Sequence, residues 1–441
     1  MHHSKFTRRN FLRAGTLTAF GSVLATKSSL GQKTTIYDDS EIPKIKEYRK
    51  FGKTGFEVSD ISSGNPSNEA VLKALLKSGV NLIDTGEAYG NGNSERLIGE
   101  VIKDFDRSSI FINSKLYTEK AFPSKQEVID RTNQCLERLQ TDYVDCMQIH
   151  SAENTAILKD EAFHSAMEQL KKEGKVRHLG VSCHGSNWAY NTEESLDKIM
   201  LAAIEDGRFD VLLLAYNFMN AEIGEKVLEA CDKNNIATLI MKSNPVYIYG
   251  LMEGRVNKLN EQEEEIDEYT QAFFDKYKIM NDHAREFFKD FGVTEEKELM
   301  EAASKYVLSN NSAHSTLWDF SNFDEVTRML KLSGQKISKQ EKLALNTYKQ
   351  HMGQFACRIG CNACHSACPE KIPVNKILRY NYYFTAKRQE KRAIAKFAQL
   401  KSKKPAEVCS TCEGFCEKAC PFGVSTRSLL AMAQNNMEIL T

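Results

Sequence analysis

The chain has 441 residues, 41% of them hydrophobic, which is enough for about two or three domains and a large core. Lys plus Arg and Asp plus Glu balance at 59 each, so no net basic field points to a nucleic-acid partner. Past the N-terminal segment no apolar run is long enough to serve as a stable membrane anchor.

In chain order, Ser4 to Arg13 reads SKFTRRNFLR, followed by the uncharged and mildly apolar AGTLTAFGSVLA. A basic start, a short apolar stretch and small residues at Val23 and Ala25 predict an export signal and leader over residues 1–30. Tyr48 to Gly64 predicts a hairpin turning at Lys53-Thr54-Gly55 and running into a first barrel strand. Strands are expected at 58–62, 80–83, 110–114, 144–149, 177–181, 210–214, 236–240 and 314–317. Helices are expected at 68–78, 94–104, 125–139, 158–173, 191–206, 222–234, 296–309 and 322–333. This alternation predicts an α/β fold, a (β/α)8 TIM barrel over residues 45–335. Residues 251–295 break the rhythm: EQEEEIDEYTQAFFDKYK and HAREFFKDFG predict a helical insertion at the barrel mouth, either a lid or a solvated rim element.

Three strand ends carry titratable groups. Asp84 and Tyr89 follow the strand in VNLIDTGEAYG, Lys115 closes SSIFINSK and His150 closes DYVDCMQIH. Polar groups just past the C-terminal ends of barrel strands face the active-site mouth. An acid, a phenol, an amine and an imidazole gathered there can move a proton. Their order, within NLIDTGEAYG, SERLIGEVI, IFINSK and DYVDCMQIH, resembles the aldo-keto reductase family.

The resemblance implies that Tyr89 gives a proton to a carbonyl oxygen while NADP or NAD delivers hydride. It also implies that Asp84 keeps Lys115 charged and His150 orients the substrate. A nearby ammonium is expected to lower the phenol pKa from its usual value of about 10. The implied cofactor-binding residues are Ser182 in GVSCHG, Tyr216 and Asn217 in LLLAYNFMN, Lys242 in LIMKSNP, and Arg328 after the eighth strand. Cys183 and His184 stand where the family has Asn and an aromatic. Trp318 and Asp319 replace small residues, and an acid at that place repels a 2′-phosphate. Arg8 and Arg9, followed by Asn10, Phe11 and Leu12, resemble a twin-arginine signal. That implies export of the folded chain to the periplasm by the twin-arginine translocation machinery.

From residue 336 to 441 the barrel pattern stops. Cys357, Cys361, Cys364 and Cys368 precede Pro369, and Cys409, Cys412, Cys416 and Cys420 precede Pro421. Each run exceeds the bacterial ferredoxin spacing by one residue in one gap. The helical, basic segment between them predicts a small α-helical ferredoxin-like domain. Two [4Fe–4S] clusters are expected, one on Cys357, Cys361, Cys364 and Cys420 and one on Cys368, Cys409, Cys412 and Cys416. Structural zinc and disulfides are the alternatives. Cys135, Cys146, Cys183 and Cys231 are expected to be small buried thiols.

The expected function is an exported oxidoreductase that interconverts a carbonyl and an alcohol on a small, sugar-like molecule, with the clusters relaying electrons to a redox partner. Two alternatives stay open: a redox-neutral epimerase or lyase with a tightly held dinucleotide, and a non-catalytic electron-transfer protein on a degenerate barrel.

Overall fold

Eight short, largely buried strands close into a parallel barrel: β3 (Ile61–Ser63), β4 (Leu82–Asp84), β5 (Phe111–Leu116), β6 (Val144–Ile149), β7 (Val176–Cys183), β8 (Val211–Ala215), β9 (Ala237–Met241) and β10 (Ser315–Trp318). β10 pairs with both β3 and β9, which completes the ring. The computed structural model describes residues 42–185, 194–245, 296–385, 389–400 and 405–438. The export signal expected at 1–30 and the insertion expected at 251–295 therefore lie outside the described residues.

The helical shell comprises α1 (Glu69–Lys77), α2 (Asn93–Ile102), α3 (Lys125–Leu139), α4 (Glu161–Lys172), α5 (Leu196–Asp206), α6 (Ala221–Lys233), α7 (Glu296–Leu308) and α8 (Phe323–Leu330). Asn68, Ser124, Asp160 and Asn322 start four of these helices by accepting a backbone N–H three residues on. Asp160 cuts the helix expected at 158–173 to a later start: its carboxylate caps Phe163.

The strand expected at 58–62 is two strands. Hairpin β1 (Tyr48–Lys50) and β2 (Glu57–Ser59) is antiparallel, and β3 follows after Asp60. The Asp60 N–H donates to the carbonyl of Glu47, just before β1, while its own carbonyl accepts from Thr316 in the barrel. The chain thus changes sheets at one residue. Its buried carboxylate accepts from Ser333 Oγ at 2.7 Å and from the Gly334 N–H at 2.8 Å. Beneath the barrel Phe51 meets Phe111 edge to face at 5.2 Å and closes the lower end.

The region after residue 335 is helical, with α9 (Lys339–Met352), α10 (Val374–Thr385), α11 (Glu390–Ala398), α12 (Pro405–Ser410), α13 (Phe415–Lys418) and α14 (Thr426–Met437). Helix α9 was not anticipated. Its Ala344, Leu345 and Tyr348 pack with Phe218, Leu299 and Ala302, which extends the barrel's shell into the C-terminal part. The last helices have their own core, including Ile377, Tyr380, Leu430 and Ala433. Cys135, Cys146, Cys183 and Cys231 are buried as expected. Among the described residues no helix is long and apolar enough to cross a membrane.

Candidate functional site

Lys115 enters the barrel from the end of β5 and is fully buried. Its Nζ donates to Asp84 Oδ2 at 2.7 Å, to the Thr85 carbonyl at 2.5 Å and to the Tyr89 hydroxyl at 3.4 Å. The ammonium also lies 4.7 Å from the centre of the Tyr89 ring. Asn113, two residues earlier on the same face of β5, donates to Asp84 Oδ1. Asp84 is thereby gripped by an ammonium and an amide. Alternation along FINSKL was the signal for Asn113, which sequence reasoning passed over.

His150 stands across the cleft, with its ring centre 5.6 Å from that of Tyr89. The four strand-end groups therefore meet in one place. Beyond them lies His184, 5.8 Å from His150 between ring centres, and its Nε2 is buried with no hydrogen-bond partner among the described residues. The exposed side chain of Asp319, at the end of β10, accepts the Asn65 N–H at 3.0 Å.

The electrostatics differ from one expectation. The Tyr89 phenol is held well above its ordinary pKa, first by burial and then by the negative charges of Asp84 and Asp319. The Lys115 ammonium, shared with Asp84 and the Thr85 carbonyl, does not offset that rise. Burial likewise raises the Asp84 carboxyl, against the pull of Lys115 and Asn113. Burial and the Lys115 charge push His150 down to about 3, so its imidazole is neutral near pH 7. His184 is held well below the usual histidine range by burial and by Lys242. The cleft contains a protonated phenol facing two neutral imidazoles.

The expected cofactor-binding residues divide. Ser182, at the end of β7, is buried, and its Oγ accepts the Ser151 N–H at 2.8 Å. Asn217, past β8, donates to the Lys242 carbonyl at 2.8 Å and accepts from the N–H groups of Met219 and Asn220, so it ties two mouth loops together. Lys242 has left-handed backbone (φ 58°) and an exposed side chain. Tyr216 turns away into the helical layer, where its hydroxyl meets Glu225 and Asn310. Arg328 sits half-buried on α8.

The eight C-terminal cysteines sort into two groups. Cys357 is surrounded by Cys361, Cys364 and Cys420, and burial with these neighbours pushes its thiol up to about 12. Cys409 has Cys416, Cys412 and Cys368 as neighbours and is pushed up to about 11 by burial first and then by them. Each group thus takes one member from the other run. The second group lines a shallow cleft with Ile372 and Leu430. Among the described residues no three His, Cys, Asp or Glu side chains are arranged to hold a single metal ion.

The first group is joined to the barrel. Ile359, Cys361 and Phe422 pack on the barrel core, Leu196 donates to the Gly360 carbonyl at 2.9 Å and Asn220 to the Ile359 carbonyl at 3.3 Å. Gly185, with φ 65°, approaches Gly360 so closely that a Cβ on it would lie 2.6 Å from the Gly360 nitrogen.

Residues 51–347 match the model of the aldo/keto reductase family. The chain is 24% identical over 335 residues to an aldo-keto reductase of Bacillus subtilis, covering 68% of this chain and 93% of that protein. It is 34% identical over 131 residues to a methylglyoxal reductase of Escherichia coli, over 30% of this chain and 44% of that protein. Among solved structures, an aldo-keto reductase from Klebsiella pneumoniae in complex with NADPH overlays with a TM-score of 0.47 at 20% identity, covering 69% of this chain and 95% of that one.

Proposed function

Because the chain belongs to the aldo/keto reductase family and is an oxidoreductase of that kind, we propose that its cleft interconverts a carbonyl and an alcohol on a small, sugar-like substrate. The observation that carries this reading is the fully buried Lys115, which joins Asp84, the Thr85 carbonyl and the Tyr89 hydroxyl. In the reductive direction the Tyr89 O–H bond breaks and its proton goes to the carbonyl oxygen. The phenolate left behind faces the Lys115 ammonium, which stabilises it only as that charge forms. Neutral His150 donates a hydrogen bond to the same oxygen and fixes its position.

A nicotinamide dinucleotide supplies the hydride when bound, and Ser182, Asn217, Lys242 and Arg328 are the residues that would hold it. The unpartnered Nε2 of His184 offers a polar contact next to the reacting centre. Asp319 acts on Asp84 and Tyr89 at the reacting centre, so it does not select between NAD and NADP. Methylglyoxal, suggested by the name of one relative, and glyceraldehyde are the first probes. NADPH or NADH oxidation by the purified chain with either, reduced about 10²–10⁴-fold in Tyr89→Phe, is the expected result. A Tyr89→Phe variant as active as the parent would leave the electron-transfer reading in its place. Turnover without net NADH consumption would favour the epimerase or lyase.

The same proposal gives the C-terminal region two [4Fe–4S] clusters, on Cys357, Cys361, Cys364 and Cys420 and on Cys368, Cys409, Cys412 and Cys416. The support is the four-and-four grouping of thiols. A cubane cluster also spaces its thiolates more widely than one ion does. Loading in the cytoplasm followed by twin-arginine export would place the enzyme in the periplasm, where the clusters exchange electrons with a redox partner. Anaerobic purification should return about eight iron and eight sulfide per chain.

A further inference from the structure

Arg358, between the first two cysteines of the first group, is a buried cation at 6% exposure. Its Nη1 donates to the carbonyls of Gly353 at 2.8 Å and Ala356 at 2.6 Å, and the guanidinium lies 5.1 Å from the centre of the Phe422 ring. Its Nε has no hydrogen-bond partner among the described residues. Nor does any described carboxylate form an ion pair with it. The acid facing it, Glu222, is bonded to Lys349. A guanidinium buried on these terms needs negative charge from another source. In the chain Arg358 stands between Cys357 and Cys361, and Phe422, over which it sits, follows Cys420 by two residues, so three of the four thiols of the first group flank it.

The second group has an arginine in a different state. Arg427 is 41% exposed and already paired: Nε donates to Glu417 Oε2 at 2.9 Å, and Nη1 to the Cys412 carbonyl at 2.8 Å. One cluster site therefore faces an unspent buried charge, and the other a neutralised exposed one.

We propose that Arg358 is the counter-ion of the first cluster and raises its reduction potential above that of the second. Reducing electrons then settle on the cluster that lies against the barrel. The inference rests on the iron–sulfur reading above. Each cluster accepts one electron, and its net charge becomes more negative by one, so a fixed positive charge stabilises the reduced form more than the oxidised form.

The test is an anaerobic redox titration of the full chain with dithionite, followed by electron paramagnetic resonance. Two midpoints are expected. Arg358→Gln should lower the upper one by at least tenfold in the reduction equilibrium, about 59 mV for one electron, and leave the lower one in place. Glu417→Gln, which frees Arg427, should raise the lower one. An unchanged upper midpoint in Arg358→Gln, or equal shifts of both, overturns the assignment. Should Arg358→Gln lose a cluster, Arg358→Lys decides: the parental midpoint upholds the charge role, and loss of the cluster replaces it with a packing role. A preparation without iron and sulfide removes the iron–sulfur reading and this inference with it, whereas loaded clusters with silent variants remove only the inference.

Discussion

Tyr89, held protonated by burial, is ready as an acid throughout the physiological range. Carbonyl reduction should therefore show no loss from phenol ionisation below about pH 10, measured as kcat against pH with the hydride donor saturating. His150 titrates differently in the folded and unfolded chains, near 3 and near the ordinary 6.5. Between those values the unfolded chain binds a proton that the folded chain does not. Stability therefore falls as the pH drops through that window, by about 1.4 kcal/mol per unit at most. His150→Gln should flatten that slope relative to the parent in denaturant titrations at about pH 6 and pH 4. The acid–base residues were readable because each occupies a strand end in a short, spaced motif. Raised Tyr89 acidity was the wrong expectation: sequence places Lys115 nearby but cannot say how deeply the phenol is buried or that Asp84 and Asp319 lie close to it.

At the scale of elements, the barrel strands were legible as apolar runs between helical patterns, and all eight formed within a few residues of their expected places. The break at Asp60 was not, because it depends on Ser333 and Gly334, far along the chain. Asp60→Ala should cost about 1–3 kcal/mol by leaving those donors unmet, read as a shift in the denaturation midpoint. Helix α9 was missed for a similar reason: its spaced apolar residues, Ala344, Leu345 and Tyr348, gain meaning only opposite Phe218 and Leu299. Leu345→Ala should destabilise the chain by about 2–5 kcal/mol, as large-to-small changes in packed cores do. Tyr216 shows the converse limit. Its place beside Asn217 suggested a cofactor contact, but the backbone after β8 turns its ring outward to Glu225.

For the whole molecule, the barrel and the cysteine-rich region share a boundary built from Ile359, Gly360 and Cys361 on one side and Gly185, Leu196 and Asn220 on the other. Gly360→Ala would drive a methyl group to 2.6 Å from Leu196 Cβ at a backbone angle (φ 81°) that alanine resists. The expected result is an earlier, separate melting step for the C-terminal region in calorimetry, with the barrel's own transition retained. Arg8 and Arg9 carry the prediction about place: replacing both with lysine should leave the chain in the cytoplasm on cell fractionation.

The exchange of one cysteine between the two runs has a consequence for how the protein matures. Three thiols of the first group, on Cys357, Cys361 and Cys364, leave the ribosome well before their fourth companion, Cys420. Cys368 must likewise wait for Cys409, Cys412 and Cys416. Neither thiol group can be completed until nearly the entire chain has been made and folded back. Premature termination anywhere before residue 420 would deprive the first group of its fourth thiol, a single yes-or-no defect in the folded tail.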